Sequence, residues 1–258
     1  MKILAIMGSP RKGDSYEVTR QVEERMKELG EVEFEYIFLK DIEIKPCRGC
    51  FLCTSRGEEH CPVRDDCPAA LEKMLAADAV IFASPVYALR VSGLMKIFKD
   101  RLAYNAHRPR FFGKYALAIV TSAGTGLEGA LGYLQTFSIW GFEFVKGLAL
   151  IRYPGLEPTS YFENQTTKMI SQAAGRFYQA VESKRQPRPS LARVLQFRVL
   201  KLNTIVAGDY WQADREFFRN KSNYYYETRL APHQRLVAWA FQQFLMAYMK
   251  KNFIIPGS

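Results

Sequence analysis

The chain has 258 residues, of which 48% are hydrophobic and 24% charged, and a formal net charge of +10. That length and balance suit one large α/β domain, or a domain with an appendage, and exclude a disordered chain. With no uninterrupted apolar run of membrane-spanning length and no secretory pattern behind Met1-Lys2, the expectation is a cytoplasmic protein.

Residues 2–7 read as a buried strand. Gly8-Ser9-Pro10-Arg11-Lys12-Gly13 follows and opens into an amphipathic helix over 15–29, with Val18, Val22, Met26 and Leu29 on one face and Gly30 as the stop. A strand that runs through a small polar loop into a helix presents backbone N–H groups and the positive end of a helix dipole, which suits a phosphate. Ser9 and Ser15 add hydroxyls, and Arg11 adds a charge-assisted contact. Gly8 to Gly13 has Walker A spacing, but Asp14 stands where an NTPase needs its lysine. The dinucleotide pattern G-x-G-x-x-G fails because Pro10 occupies its second glycine. What remains is a loop for a single terminal phosphomonoester. Taken alone, it reads equally as a surface turn.

Residues 32–38 alternate apolar and polar at first, as a strand near a sheet edge does. After a cysteine-rich segment, 45–67, a helix over 68–77 leads into Ala79-Val80-Ile81-Phe82-Ala83, the continuous apolar run of a central parallel strand. A helix over 93–104, a strand over 115–120, the turn Ser122-Ala123-Gly124, a helix over 126–139, a strand near 142–150 and a helix over 161–182 complete the pattern. Five strands interleaved with five helices predict a doubly wound five-stranded parallel sheet. Ligands of such sheets collect beyond the carboxyl ends of the strands, where residues 8–15, 84–92 and 121–126 all fall.

Cys47, Cys50, Cys53 and Cys61 are spaced C-x2-C-x2-C-x7-C, and Cys67 is a fifth thiol that offers a rival fourth ligand. Their bunching argues against an extracellular disulfide framework. Four thiolates suit either an iron–sulfur cluster or a tetrahedral zinc site. Three in one tight run followed by a lone fourth read better as a cluster, and plain reduced thiols remain a third reading.

From residue 184 the texture changes. Residues 184–258 hold 13 Lys/Arg and 4 Asp/Glu, whereas the first 183 hold 23 and 22. Lys184-Arg185-Gln186-Pro187-Arg188-Pro189 is a basic, Pro-broken linker, followed by helical patterns over 190–206 and 232–251. The expected division is a domain over 1–183, including the cysteine segment, and a basic, aromatic-rich helical extension over 184–258. The extension could meet an acidic surface, such as anionic lipid or nucleic acid, or cover its own domain. A solvated basic face is preferred, so nucleic acid is not expected and peripheral membrane contact is not favoured.

The phosphate loop, the cysteine segment ending Arg64-Asp65-Asp66, Ser84-Pro85-Val86-Tyr87, Ser92-Gly93-Leu94-Met95-Lys96 and Asp100-Arg101 together resemble one family. It is the NAD(P)H-dependent FMN reductases of flavodoxin-like fold, in their iron–sulfur flavoprotein branch, and the match covers roughly residues 1–180. The aromatic stretch Asp209-Tyr210-Trp211 and Tyr224-Tyr225-Tyr226-Glu227 looks like the C-terminal extension of some clostridial-type members. The resemblance implies that Ser9, Arg11 and Ser15 hold the FMN phosphate, with Asp14 and Tyr16 departing from the usual pattern. It further implies that Pro85, Val86 and Tyr87 lie along the ribityl chain and one ring face, and that Ser122, Ala123 and Gly124 line the pyrimidine edge. Cys47, Cys50, Cys53 and Cys61 would carry a [4Fe–4S] centre.

The implied function is an FMN-dependent oxidoreductase. It passes reducing equivalents from NAD(P)H through the flavin to a small-molecule or protein acceptor, and needs no catalytic side chain because the cofactor carries the chemistry. The alternative is an electron-transfer iron–sulfur flavoprotein that takes single electrons from a protein donor such as ferredoxin. The resemblance also implies a homodimer or tetramer, to which Phe111, Phe112, Trp140 and the tail aromatics are plausible contributors. His60, His107 and His233 read as surface or structural residues.

Overall fold

The computed structural model describes residues 1–254, the side chains of residues 208 and 209 excepted. By its contacts the chain divides into two compact units. One comprises residues 1–47, 63–103 and 110–186; the other comprises 48–62, 104–109 and 187 onward.

The first unit is built on a parallel sheet. Its strands are β1 (Lys2–Met7), β2 (Glu33–Phe38), β3 (Ala79–Tyr87), β4 (Arg90–Val91), β5 (Tyr115–Ser122), β6 (Glu143–Phe144) and β7 (Leu148–Ile151). The order runs β2-β1-β3-β5, with β6 and β7 both on the far side of β5. Ile3–Met7, Ala79–Ala83 and Ala116–Val120 are fully buried, as continuous apolar runs in central parallel strands should be. Helices α1 (Asp14–Leu29) and α6 (Ser160–Glu182) pack against each other, and Val18, Val22, Met26, Ile170, Ala173, Ala174 and Phe177 close that core. The unit also contains α3 (Cys67–Ala76), α4 (Gly93–Arg101) and α5 (Leu127–Gln135). A second aromatic core includes Phe82 stacked on Phe137 at 4.0 Å and Phe111 on Phe142 at 4.3 Å.

The sheet has seven strands, not the expected five. Two local causes account for the difference. The single strand expected near 142–150 is cut in two, because Tyr115 faces Glu143 whereas Ile119 faces Leu148. One extra residue is thus accommodated at 145–147, a bulge in an edge strand. Gly147 permits it, since a Cβ there would lie 2.6 Å from a Leu131 methyl and 3.1 Å from the Ala118 carbonyl. The other addition is β4, which folds back on the end of β3, pairing Val86 with Val91 and Tyr87 with Arg90. The two-residue turn, Ala88-Leu89, holds both residues at positive φ (48° and 65°), as a type I′ hairpin requires. Neither residue is the Gly or Asn that such a turn favours, so each costs about 1–2 kcal/mol. Gly126, itself at φ +84°, lets α5 close on the hairpin: a Cβ there would stand 2.8 Å from Leu89 Cα.

The second unit is helical, with α2 (Leu52–Ser55), α7 (Leu191–Val206), α8 (Gln212–Phe218) and α9 (Pro232–Asn252). Helix α7 packs on α8 and α9, and α2 packs on α8. Phe197, Phe218 and Tyr224 are buried, and Tyr225 sits edge-on to Phe197 at 5.0 Å. These aromatics form the core of this unit, whereas Tyr210, Trp239, Phe244, Tyr248 and Phe253 are exposed. Asp209 of the same motif lies outside the described side chains. Phe111 and Trp140, expected as interface contributors, are fully buried in the first unit. Among the described residues no helix is long and apolar enough to cross a membrane.

Candidate functional site

In the order β2-β1-β3-β5, the connections leave β1 toward opposite sides, so the switch point lies between β1 and β3. A cleft opens there. It is lined by the phosphate loop, the end of β3, the end of β5 and the segment after β7.

The loop is held from below. Gly8 N–H donates to the Ala83 carbonyl at 2.8 Å, joining the ends of β1 and β3. The Ser92 hydroxyl donates to the Gly8 carbonyl at 2.5 Å and accepts from Met95 N–H at 3.2 Å, which makes it both loop anchor and N-cap of α4. Ser84 Oγ in turn accepts from Ser92 N–H at 3.0 Å. Glycine at residue 8 spares this joint a tight contact, because a Cβ would lie 3.0 Å from Ser92 Oγ and 3.1 Å from Met95 Cβ.

Helix α1 begins at Gly13, which supplies no side-chain cap. Its first N–H groups are therefore left for a ligand. Ser9 and Ser15 are buried and line the cleft, and Ser9 Oγ accepts from Arg11 N–H at 3.2 Å. The Arg11 side chain passes over Gly13 into the lining. Lys12 turns elsewhere, its ammonium 5.5 Å from the Tyr16 ring and 5.0 Å from Phe38. Tyr16 belongs to that aromatic group and does not line the cleft. Asp14 does.

Pro85, Val86 and Tyr87 form one wall, and Thr121, Ser122 and Ala123 another. Gly124 lies outside the lining, with its N–H donating to Ser122 Oγ at 3.2 Å. Eight of the nine residues expected to hold the flavin thus share one cleft with Thr121, from the strand end already expected at 121–126, and with two residues the sequence did not single out, Arg152 and Pro154. Arg152 and Pro154 follow β7, in a segment with no motif of its own. Only the sheet brings it back, with Arg152 N–H donating to the Ser122 carbonyl at 2.7 Å.

This donor set fits FMN. Two guanidiniums, Arg11 and Arg152, with no ion pair among the described residues, share the lining with buried hydroxyls and an uncapped helix start. That is the chemistry a phosphomonoester needs. Pro85, Ser122 and Ala123 add small or rigid residues to the walls beside it.

The cysteines are placed differently. Cys47 and Cys50 are exposed, Cys53 and Cys61 half-buried, and Cys67 buried. Burial pushes the Cys67 thiol up to about 12, with Asp65 adding to the shift, which makes it an inert thiol. Among the described residues no three His, Cys, Asp or Glu side chains converge as a metal site requires. The donor types suit a cluster.

A family model described as NADPH-dependent FMN reductase matches residues 1–152. An iron–sulfur flavoprotein of Archaeoglobus fulgidus is 34% identical over 229 residues, covering 86% of this chain and 99% of its own. The chain belongs to the NADPH-dependent FMN reductase family, in its iron–sulfur flavoprotein branch. The reductase is also similar to an iron–sulfur flavoprotein of Clostridioides difficile, 26% identical over 76% of this chain and 86% of that one. The crystal structure of an NADH:FMN oxidoreductase in its apo form shares the fold: TM-score 0.52 at 23% identity, covering 74% of this chain and 98% of that one. As a member of the family, the reductase is an FMN-dependent oxidoreductase that uses NAD(P)H.

Proposed function

We propose that this cleft binds FMN and serves two substrates in turn, NAD(P)H and an electron acceptor. The observation that carries the reading is the single cleft shared by Ser9, Arg11, Ser15, Pro85, Val86, Tyr87, Ser122 and Ala123. When bound, FMN supplies hydride acceptance and onward electron transfer. The chain's residues do the rest. Ser9, Arg11, Ser15 and the start of α1 hold the phosphate. Pro85, Val86 and Tyr87 support the ribityl chain and one ring face, and Ser122, Ala123 and Gly124 border the pyrimidine edge. Asp14 is the one carboxylate in the lining, beside no His or Cys, so substrate orientation rather than side-chain proton transfer is the protein's contribution.

Residues 1–183 carry this site in our reading, and residues 184–258 support the thiol segment. Homo-oligomerisation is part of the same proposal. So is a [4Fe–4S] centre on Cys47, Cys50, Cys53 and Cys61, supported by the donor types and by the name that relatives carry. It would make the protein a relay for single electrons from a donor such as ferredoxin, the second reading.

Anaerobic mixing of the FMN-loaded protein with NADPH, NADH and reduced ferredoxin decides between them. Rapid bleaching of the flavin by a nicotinamide supports the reductase. Bleaching by ferredoxin alone supports the relay. A protein that takes up no FMN removes both, and freshly isolated anaerobic protein without iron and sulfide removes the cluster.

A further inference from the structure

We propose that Arg152 is a second phosphate-binding cation, which offsets Asp14 and closes the phosphate site from the β7 side. This rests on the FMN reading and adds to it a residue outside the loop.

Asp14 is the departure that makes the phosphate loop look unsuitable. It occupies the first turn of α1 and lines the cleft, so its carboxylate opposes a phosphate dianion beside the same N–H groups that attract one. Arg11, with the loop's hydroxyls and N–H groups, would have to offset both the repulsion and the loss of phosphate hydration. Arg152 supplies the missing charge. It lines this cleft and the adjoining groove, and Asp14 is the other residue common to both. Arg152 and Asp14 therefore face the same space, and neither has an ion-pair partner among the described residues.

The position of Arg152 is fixed by the fold. Its N–H bonds the Ser122 carbonyl at the end of β5, and Pro154 stiffens the chain two residues on. The backbone is thus anchored while the half-buried side chain is left to reach a ligand. A guanidinium with that placement can present two parallel N–H donors to phosphate oxygens. The second cation thus comes from a different strand end.

The test separates the phosphate from the ring, since riboflavin carries the same ring without the phosphate. Affinities of the full chain for FMN and riboflavin are measured by flavin fluorescence for wild type, Arg152→Gln and Arg152→Met. Losing one charge-assisted contact should weaken FMN about 10- to 100-fold in both variants, and riboflavin less than about twofold. Asp14→Asn should tighten FMN and leave riboflavin unchanged. Riboflavin binding doubles as the folding control, and if either Arg152 variant loses its fold the other is read the same way. An equal loss for both flavins, or none for FMN, overturns the role of Arg152 while leaving the FMN reading intact. So does unchanged FMN affinity with a raised KM for NADPH but not NADH, which would assign Arg152 to the dinucleotide's own phosphomonoester. Wild type that binds neither flavin overturns the FMN reading itself, and Arg152's role with it.

Discussion

Arg101 donates two hydrogen bonds to Asp65, Nε to one carboxylate oxygen at 2.8 Å and a terminal nitrogen to the other at 3.0 Å, with the two side chains 4% and 0% exposed. The same guanidinium reaches the Val63 carbonyl at 3.1 Å. Asp65 also accepts from Lys45 N–H and Cys67 N–H, and Asp66 from Glu43 N–H at 2.8 Å. Two motifs far apart in sequence are one knot. It clamps both ends of the cysteine segment to α4.

Breaking that pair should cost about 3–5 kcal/mol, because Arg101 is left charged and buried without its carboxylate. Asp65→Asn should lower the thermal midpoint accordingly, and Arg101→Met with Asp65→Leu together should recover much of the loss. The pair also has a pH signature. Burial opposes the ionisation of Asp65, but Arg101 and the two backbone donors outweigh it and hold the carboxyl below its ordinary value. The unfolded carboxyl titrates near pH ~4, so the stabilisation is complete above that value and fades as pH falls through the lower folded one. Acid titration of stability should show this slope in wild type and lack it in Asp65→Asn.

Ser92→Ala removes the hydroxyl that caps α4 and anchors Gly8. We expect a stability loss of about 1–2 kcal/mol, read by denaturant unfolding. Weaker FMN binding should accompany it, because the loop loses its support. Gly8→Ala should act on the same joint through crowding, and a variant with unchanged flavin affinity would remove the coupling.

Thiol reactivity should be graded. Iodoacetamide at about pH 8 should modify exposed Cys47 and Cys50 in the native protein and spare Cys67 until unfolding. Peptide mapping reads the order directly, and early loss of the Cys67 thiol would contradict its burial.

In the second unit Arg108 donates to Asp214, to Glu58 at 2.6 Å and to the Cys53 carbonyl at 2.7 Å, while His107 meets Asp214 at 2.8 Å and stacks on Trp211. Asp214→Ala should leave Arg108 with Glu58 as its remaining carboxylate partner and destabilise this unit by about 1–3 kcal/mol. Faster alkylation of Cys53 and Cys61 should report it. FMN affinity, governed by residues of the other unit, should stay within about twofold of wild type.

The central sheet was legible because apolar runs such as Ile3–Met7 and Ala79–Ala83 are dictated by burial on both faces. That Ser9, Arg11 and Ser15 gather at one strand end was legible because strand, loop and helix are contiguous. Arg152 was not, since its place in the cleft depends on the register of β7 against β5, a long-range pairing without local pattern. Nor was the hairpin at Ala88-Leu89, whose residues contradict its turn type and which exists through packing on Gly126. Asp214, Arg108 and Glu58 had no motif either; three distant segments meet only in the folded chain.

The grouping of residues 48–62 with everything after 186 has a practical corollary. Cutting the polypeptide at the basic linker to obtain a minimal flavin carrier would discard Asp214 while retaining Arg108 and the thiols it braces. The severed fragment would keep its yellow colour yet expose sticky, oxidation-prone sulfur, so anyone trimming this enzyme should excise the cysteine stretch together with the tail or leave both.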